Sequence, residues 1–392
     1  MTRTIFAIAF LAAIVGFAIP LSLSLGDLQG RALSDKFPLK EQFVELNGGA
    51  SRLAGRRFVN TVYRTPRGML LSEQTRNSKG MASSASRLAD HVDEFRHWLE
   101  KRDIAYIYMQ APAKIDMKGL MLPSELRHDG NLMADLFLAE LAKRGVRALD
   151  LREMLTATED DVMRYFYLTD HHWNNDAVFK AFVEIAPELA VLAGADPSAV
   201  KRVASSRAWK RKVWENCFMG TKSRRTGRLF GGLDDLAVYT PKFKTKMKIE
   251  IPSRKLKRAG SFRETVMWDS DKILAMRGDE FRADAYSHLY VGGLFGVVRF
   301  ENRKAPIGKR LVVVGDSFSR PLQGFLSTVF SEILALDQRR FKPGETVTGF
   351  VEEFKPAVVL QLDNPGALGG GGDASGGPGF KSSAVFDYGE LR

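Results

Sequence analysis

The chain is poor in the residues that staple or metallate a fold. Cys217 is the single cysteine among 392 residues, which excludes an intrachain disulfide and with it the small secreted scaffolds held by bridges. No basic residue paired with a histidine accompanies it in sequence, so it reads as structural rather than nucleophilic. Only six histidines are present. Two are adjacent, His171 and His172, and adjacent side chains diverge on a strand or a helix, unlike the i, i+4 pair of helical zinc sites. No metal and no cofactor is expected. After residue 25 no apolar run is long enough to span a bilayer, and no internal repeat is found. Acids are scarce between residues 201 and 263, where Glu215, Asp234, Asp235 and Glu250 are the only ones.

What is present is apolar and basic. A hydrophobic content of 45% supplies a core for one large or two ordinary domains. Arg3 is followed by an apolar run over residues 5–25, longer than the usual hydrophobic core of a signal peptide. Residues 1–26 are therefore expected to be a signal anchor, with a cleaved signal peptide as the alternative, placing the body outside the cytoplasm. The net charge is +12. Lys210-Arg211-Lys212, Arg224-Arg225, the alternating lysines 242, 244, 246 and 248, and Arg254-Lys255-Lys257-Arg258 carry much of it. Export excludes nucleic acid as partner; an anionic membrane surface, an acidic polymer and a merely solvated basic face remain.

Residues 27–57 read as a polar linker. From residue 58, strand and helix patterns alternate: a helix over 86–102, a strand over 104–109, a helix over 130–144 and a strand over 146–150. A helix over 176–192 follows the histidines. Residues 200–305 break this rhythm as a basic insertion rich in short strands. The alternation resumes at Leu311 and closes with a strand over 357–362, and residues 366–392 read as a glycine-rich disordered tail. The expectation is an α/β fold, a parallel sheet with helices on both faces, over residues 58–365.

Two distant segments carry the chemistry. Leu311-Val312-Val313-Val314 ends in Gly315-Asp316-Ser317, which puts a serine at the carboxyl end of a buried strand, where open α/β sheets bind ligands. Tyr167-Leu168-Thr169-Asp170-His171-His172-Trp173-Asn174 lies in a loop entering a helix. A serine hydroxyl needs a base to take its proton and a third group to orient that base. His172 and Asp170 could supply both if the fold brings them to Ser317. Trp173, Arg299, Asn302 and Arg320 are candidate substrate contacts, and Trp173 reads equally well as a structural aromatic. An amide of Ser317 or Phe318 is a candidate oxyanion donor.

With Gln110-Ala111-Pro112-Ala113-Lys114-Ile115-Asp116, Leu149-Asp150-Leu151-Arg152 and Leu336-Asp337-Gln338-Arg339-Arg340-Phe341, these segments resemble the DHHW family. They also resemble the related SGNH-hydrolase-like domains of the alginate O-acetyltransferases of AlgJ and AlgX type. The resemblance implies Ser317 as nucleophile, His172 as base and Asp170 as its orienter. It also implies a circularly permuted motif order, histidine before serine, as this chain has. The implied activity is O-acetylation of an extracytoplasmic polysaccharide in the periplasm, with acetyl groups supplied by a membrane acyltransferase of the MBOAT class. Asp316 and Phe318 stand where the alginate enzymes tend to have Thr and Tyr, which leaves the acceptor polymer open. The same residues would serve a polysaccharide esterase, and a third reading is a tethered polysaccharide-binding scaffold without turnover.

Overall fold

The structure, a computed structural model, describes residues 40–72, 80–123, 126, 130–267, 289–368 and 386–391. The expected anchor at residues 1–26 lies outside them. Among the described residues no helix is long and apolar enough to cross a membrane.

Eight strands form the central sheet, in the order β5-β4-β13-β11-β12-β10-β8-β9. The first five, β4 (Ala105–Gln110), β5 (Ala148–Asp150), β11 (Ile307–Gly315), β12 (Phe330–Leu336) and β13 (Val358–Asp363), run parallel. Leu311 to Val314 are all buried, as expected of a strand covered on both faces. Ile107, Val313 and Leu360 face a core closed by the helices Asn175–Leu192 and Ser319–Leu326. Tyr108, Val312 and Val359 face the other core, closed by Met81–Glu100, Gly130–Lys143 and Val347–Phe354. The result is the expected α/β architecture.

The expected insertion is not a separate unit. Its strands β8 (Met247–Ile251), β9 (Leu256–Gly260) and β10 (Val297–Asn302) continue the sheet beyond β12 as an antiparallel flank, so the sheet is mixed rather than wholly parallel. Edge groups of β12 are thereby paired instead of exposed. Strands β6 (Trp209–Phe218) and β7 (Asp234–Pro241) form an antiparallel ribbon. Three short strands, β1 (Phe58–Val59), β2 (Val62–Arg64) and β3 (Leu70–Ser72), make a small sheet.

Two segments read as unstructured are ordered. Within the expected linker, Lys40–Leu53 is a helix, its Gly48 seated against the Thr226 carbonyl. At the end of the expected disordered tail, Phe386 and Tyr388 are buried. Tyr388 stacks on Phe95 at 4.0 Å and its hydroxyl donates to Gln361 Oε1 at 2.7 Å. Composition favoured disorder across the glycines, but two aromatic rings beyond them bury enough apolar surface to hold the end down.

The chain leaves β11 through the helix Ser319–Leu326 to β12 on one side, then crosses through Val347–Phe354 to β13 on the other. Those two helices cover opposite faces, so a crevice opens at the carboxyl end of β11, the switch point of the sheet. Ser317 stands there.

Candidate active site

Asp316 shapes the serine turn. Its Oδ1 accepts the Phe318 N–H at 2.8 Å, and its Oδ2 accepts the Asn364 N–H at 3.1 Å together with the Asn364 side-chain amide. The turn is thus tied to the end of β13 before the helix begins. The Phe318 amide is committed, so of the two expected oxyanion donors only the Ser317 N–H remains a candidate.

Ser317, half-buried, points its hydroxyl at His172. Ser317 Oγ lies 2.8 Å from His172 Nε2, and His172 Nδ1 lies 2.6 Å from Asp170 Oδ1. Asp170 also accepts the His172 amide on Oδ1 at 3.1 Å and the Thr221 amide on Oδ2 at 2.7 Å. Burial alone would raise the Asp170 carboxyl. The neighbouring His171, the hydrogen bond and charge of His172, and the Thr221 amide outweigh burial and hold it well below the usual carboxylate range. An ionised Asp170 keeps the Nδ1 proton on His172 and leaves Nε2 as the acceptor facing the serine.

The histidine loop has little secondary structure of its own and is gripped from both sides. Lys114 Nζ donates to the carbonyls of Leu70, Leu168 and Asp170 at 2.7–2.8 Å. Asp234, on β7, accepts the amides of Leu168 and Thr169 at 2.5 and 2.8 Å and the Thr169 hydroxyl at 2.5 Å. Burial pushes Asp234 up to about 6 against the lowering effect of Thr169 and Lys114. Gly220 donates its N–H to Thr169 Oγ1 at 2.8 Å, and a Cβ added to Gly220 would lie 2.5 Å from Asp170 N and Cβ. Only glycine lets the two backbones approach this closely. Lys114 falls in a quoted motif but carried no role there. Gly220, Thr221 and Asp234 belong to the insertion, and no local sequence signal marks them.

The remaining candidates behave differently. Trp173 is fully buried, with Nε1 donating to the Phe318 carbonyl at 3.1 Å. It clamps the histidine loop to the serine turn and offers no face to a sugar. Arg320, also buried, bonds the Phe295 carbonyl and pairs with Asp337 at 3.4 Å. Burial lowers it to about 10, and it is a structural ion-pair member rather than a substrate contact. Arg299 pairs with Glu353 at 2.7 Å, on the sheet face away from the serine helix. Asn302 is buried and binds the Ser327 carbonyl at 3.1 Å and the Lys304 amide at 3.0 Å, near the amino end of β12. Neither reaches the crevice, because β10 runs antiparallel and carries both away from its carboxyl edge.

Asp170, His171 and His172 offer metal-ligating atoms within 4.8 Å of one another. Asp170 Oδ1 already accepts from His172 Nδ1 at 2.6 Å, and Asp170 Oδ2 is taken by the Thr221 amide. The group is arranged as a hydrogen-bonded relay.

A serine, an imidazole and a carboxylate in series at the carboxyl edge of a doubly covered sheet form an arrangement that can activate the serine hydroxyl as a nucleophile. Residues 66–212 match the family described as SGNH hydrolase-like domain, acetyltransferase AlgX. The matched stretch contains Asp170 and His172 and ends before Ser317, and the resemblance drawn from the motifs is to this family. No curated protein matches the chain. Among solved structures, Bacillus cereus PatB1 is similar at 19% identity and a TM-score of 0.63, over 84% of this chain and 99% of that one. A DHHW family protein from Eubacterium siraeum is similar at 16% identity and a TM-score of 0.59, over 84% and 95% of the respective chains. These two likenesses establish the fold.

Proposed function

We propose that the protein is a serine-dependent O-acetyltransferase acting on an extracytoplasmic polysaccharide. The observation that carries this is the unbroken chain Ser317 Oγ, His172, Asp170, with contacts of 2.8 and 2.6 Å. The match of residues 66–212 to an acetyltransferase family supports the acyl class.

In this reading Ser317 Oγ attacks the carbonyl carbon of an acetyl donor while its proton passes to His172 Nε2. The negative charge on the carbonyl oxygen is met by the Ser317 N–H. The bond to the departing oxygen then breaks, and His172 returns its proton to that oxygen. A sugar hydroxyl repeats the sequence on the acetyl-serine, restoring Ser317 and leaving an O-acetyl sugar. Asp170 stays ionised and stabilises the imidazolium in each half. The donor side would be served by an MBOAT-class membrane acyltransferase, and the chain would work on the periplasmic side of the membrane, tethered by residues 1–26. The basic stretch 201–263 suits an anionic polymer.

The test is acetyl release from a chromogenic acetyl ester, wild type against Ser317→Ala, with anionic oligosaccharides added as acceptors. Activity that vanishes in the variant, with O-acetyl sugar among the products, supports transfer. Acetate as sole product would instead make the protein an esterase. A folded wild type without any activity would overturn the catalytic reading.

A further inference from the structure

The helix Lys40–Leu53 shows its apolar side to solvent. Its inner side is made by Val44, Gly48 and Ser51, with Gly48 against the Thr226 carbonyl and Ser51 buried. Leu46, Ala50 and Leu53 follow at i, i+4 and i+7 and lie on the opposite side, where a surface helix is ordinarily polar. Leu46 is 66% exposed and Leu53 92%. Leu229, itself 51% exposed, sits against Gly49 of the same helix, its carbonyl accepting from Arg52 at 3.0 Å. Exposed leucines clustered this way mark an interaction surface.

The charge around this helix is predominantly basic. Arg52, Arg56, Arg57 and Arg228 are exposed around the leucines. The only acids in residues 40–64 and 220–232 are Glu41 and Glu45, and the Glu45 carboxylate is occupied by the amides of Arg228 and Leu229 at 2.6 and 3.0 Å. The apolar run over residues 5–25 ends fourteen residues before Lys40. A chain of that length spans at most about 50 Å, which keeps the helix within reach of any bilayer the run enters.

We propose that this face is a membrane-docking surface, with Leu46, Leu53 and Leu229 entering the headgroup boundary and the arginines binding anionic lipid. Leucine tips at the acyl boundary under a basic rim are the chemistry of interfacial helices. The same segment leads into the site: Gly48 abuts Thr226, in the short helix Thr221–Thr226 whose first amide holds Asp170. Docking would hold the crevice at a set height above the bilayer. The proposal does not depend on the acetyl-transfer reading, because its test reads position and not turnover.

The full chain is reconstituted into phosphatidylcholine–phosphatidylglycerol vesicles with an environment-sensitive fluorophore on Leu46→Cys, Leu53→Cys or, as control, Lys143→Cys. Lys143 ends a helix at the amino edge of the sheet, and native Cys217 is buried. Nitroxide-bearing lipid is expected to quench positions 46 and 53 at least several-fold more than 143, and removing phosphatidylglycerol should weaken the difference. Labels at 46 and 53 that escape nitroxide lipid overturn the proposal in either form. Reached by aqueous iodide, they show a face open to water; shielded from both, they show a face covered by protein.

Discussion

His172 Nε2 stands 2.8 Å from Ser317 Oγ although 145 positions separate them in the chain. Two elements unrelated in sequence, a histidine loop gripped by Lys114 and Asp234 and a turn tied by Asp316, meet at this contact and at the bond from Trp173 Nε1 to the Phe318 carbonyl. Replacing Ser317 by Ala should abolish ester turnover, by on the order of 10⁴-fold or more. Folding should change by no more than about 1 kcal/mol, since the serine is only half-buried. Turnover and a denaturant melt on the same preparation check both.

Asp170→Asn should cost about 10⁴-fold in turnover by favouring the wrong imidazole tautomer. Its stability effect should depend on pH. Asp170 in the folded chain titrates below its unfolded value of about 3.9, so it adds stability above that pH and loses it as the pH falls through the folded pKa. The gap in Tm between wild type and variant should be widest near neutrality and close in strong acid. A gap independent of pH would contradict an ionised, hydrogen-bonded Asp170.

Gly220→Ala places a methyl 2.5 Å from Asp170 N and Cβ. Backbone on one side cannot yield as a flexible side-chain end would, so the Thr221–Asp170 bond should lengthen. The expected cost is about 1–3 kcal/mol of stability, with a fall in kcat larger than any change in KM. Loss of KM alone would mean that residue 220 touches substrate instead of positioning Asp170.

Lys114→Met leaves three backbone carbonyls without their shared donor and removes the cation that lowers Asp234. A loss on the order of 3 kcal/mol is expected by denaturant melts. Lys114→Arg should not restore it, because a planar fork cannot reproduce the three directions of an ammonium.

Tyr388→Ala empties a buried site that stacks on Phe95 and removes a donor to Gln361. About 3–5 kcal/mol should be lost, while the folded fraction keeps its turnover, since this face of the sheet lies away from the crevice. Retained stability would mean that the segment 386–391 is not held as described.

The alternation of strands and helices, the serine at the end of β11 and the histidine loop before a helix were all legible, because hydrophobic period and turn residues are local properties. The insertion was legible as rich in short strands, but neither the bounds of β8 to β10 nor their place in the main sheet was, since pairing partners are set by tertiary contact. Trp173, open to either a substrate-stacking or a structural reading, and Arg320, a candidate substrate contact, could not be settled without knowing their burial and partners. Buried, Trp173 spends its N–H on Phe318 and Arg320 its guanidinium on Phe295 and Asp337.

The sequence by itself determined which groups could do the chemistry and that each lay where a strand or loop ends. Tertiary structure alone decided that they meet, and what holds them. Thr221 and Asp234 reach the histidine loop from 51 and 65 or more positions away. Such contacts follow from how the chain closes on itself, which no periodicity records.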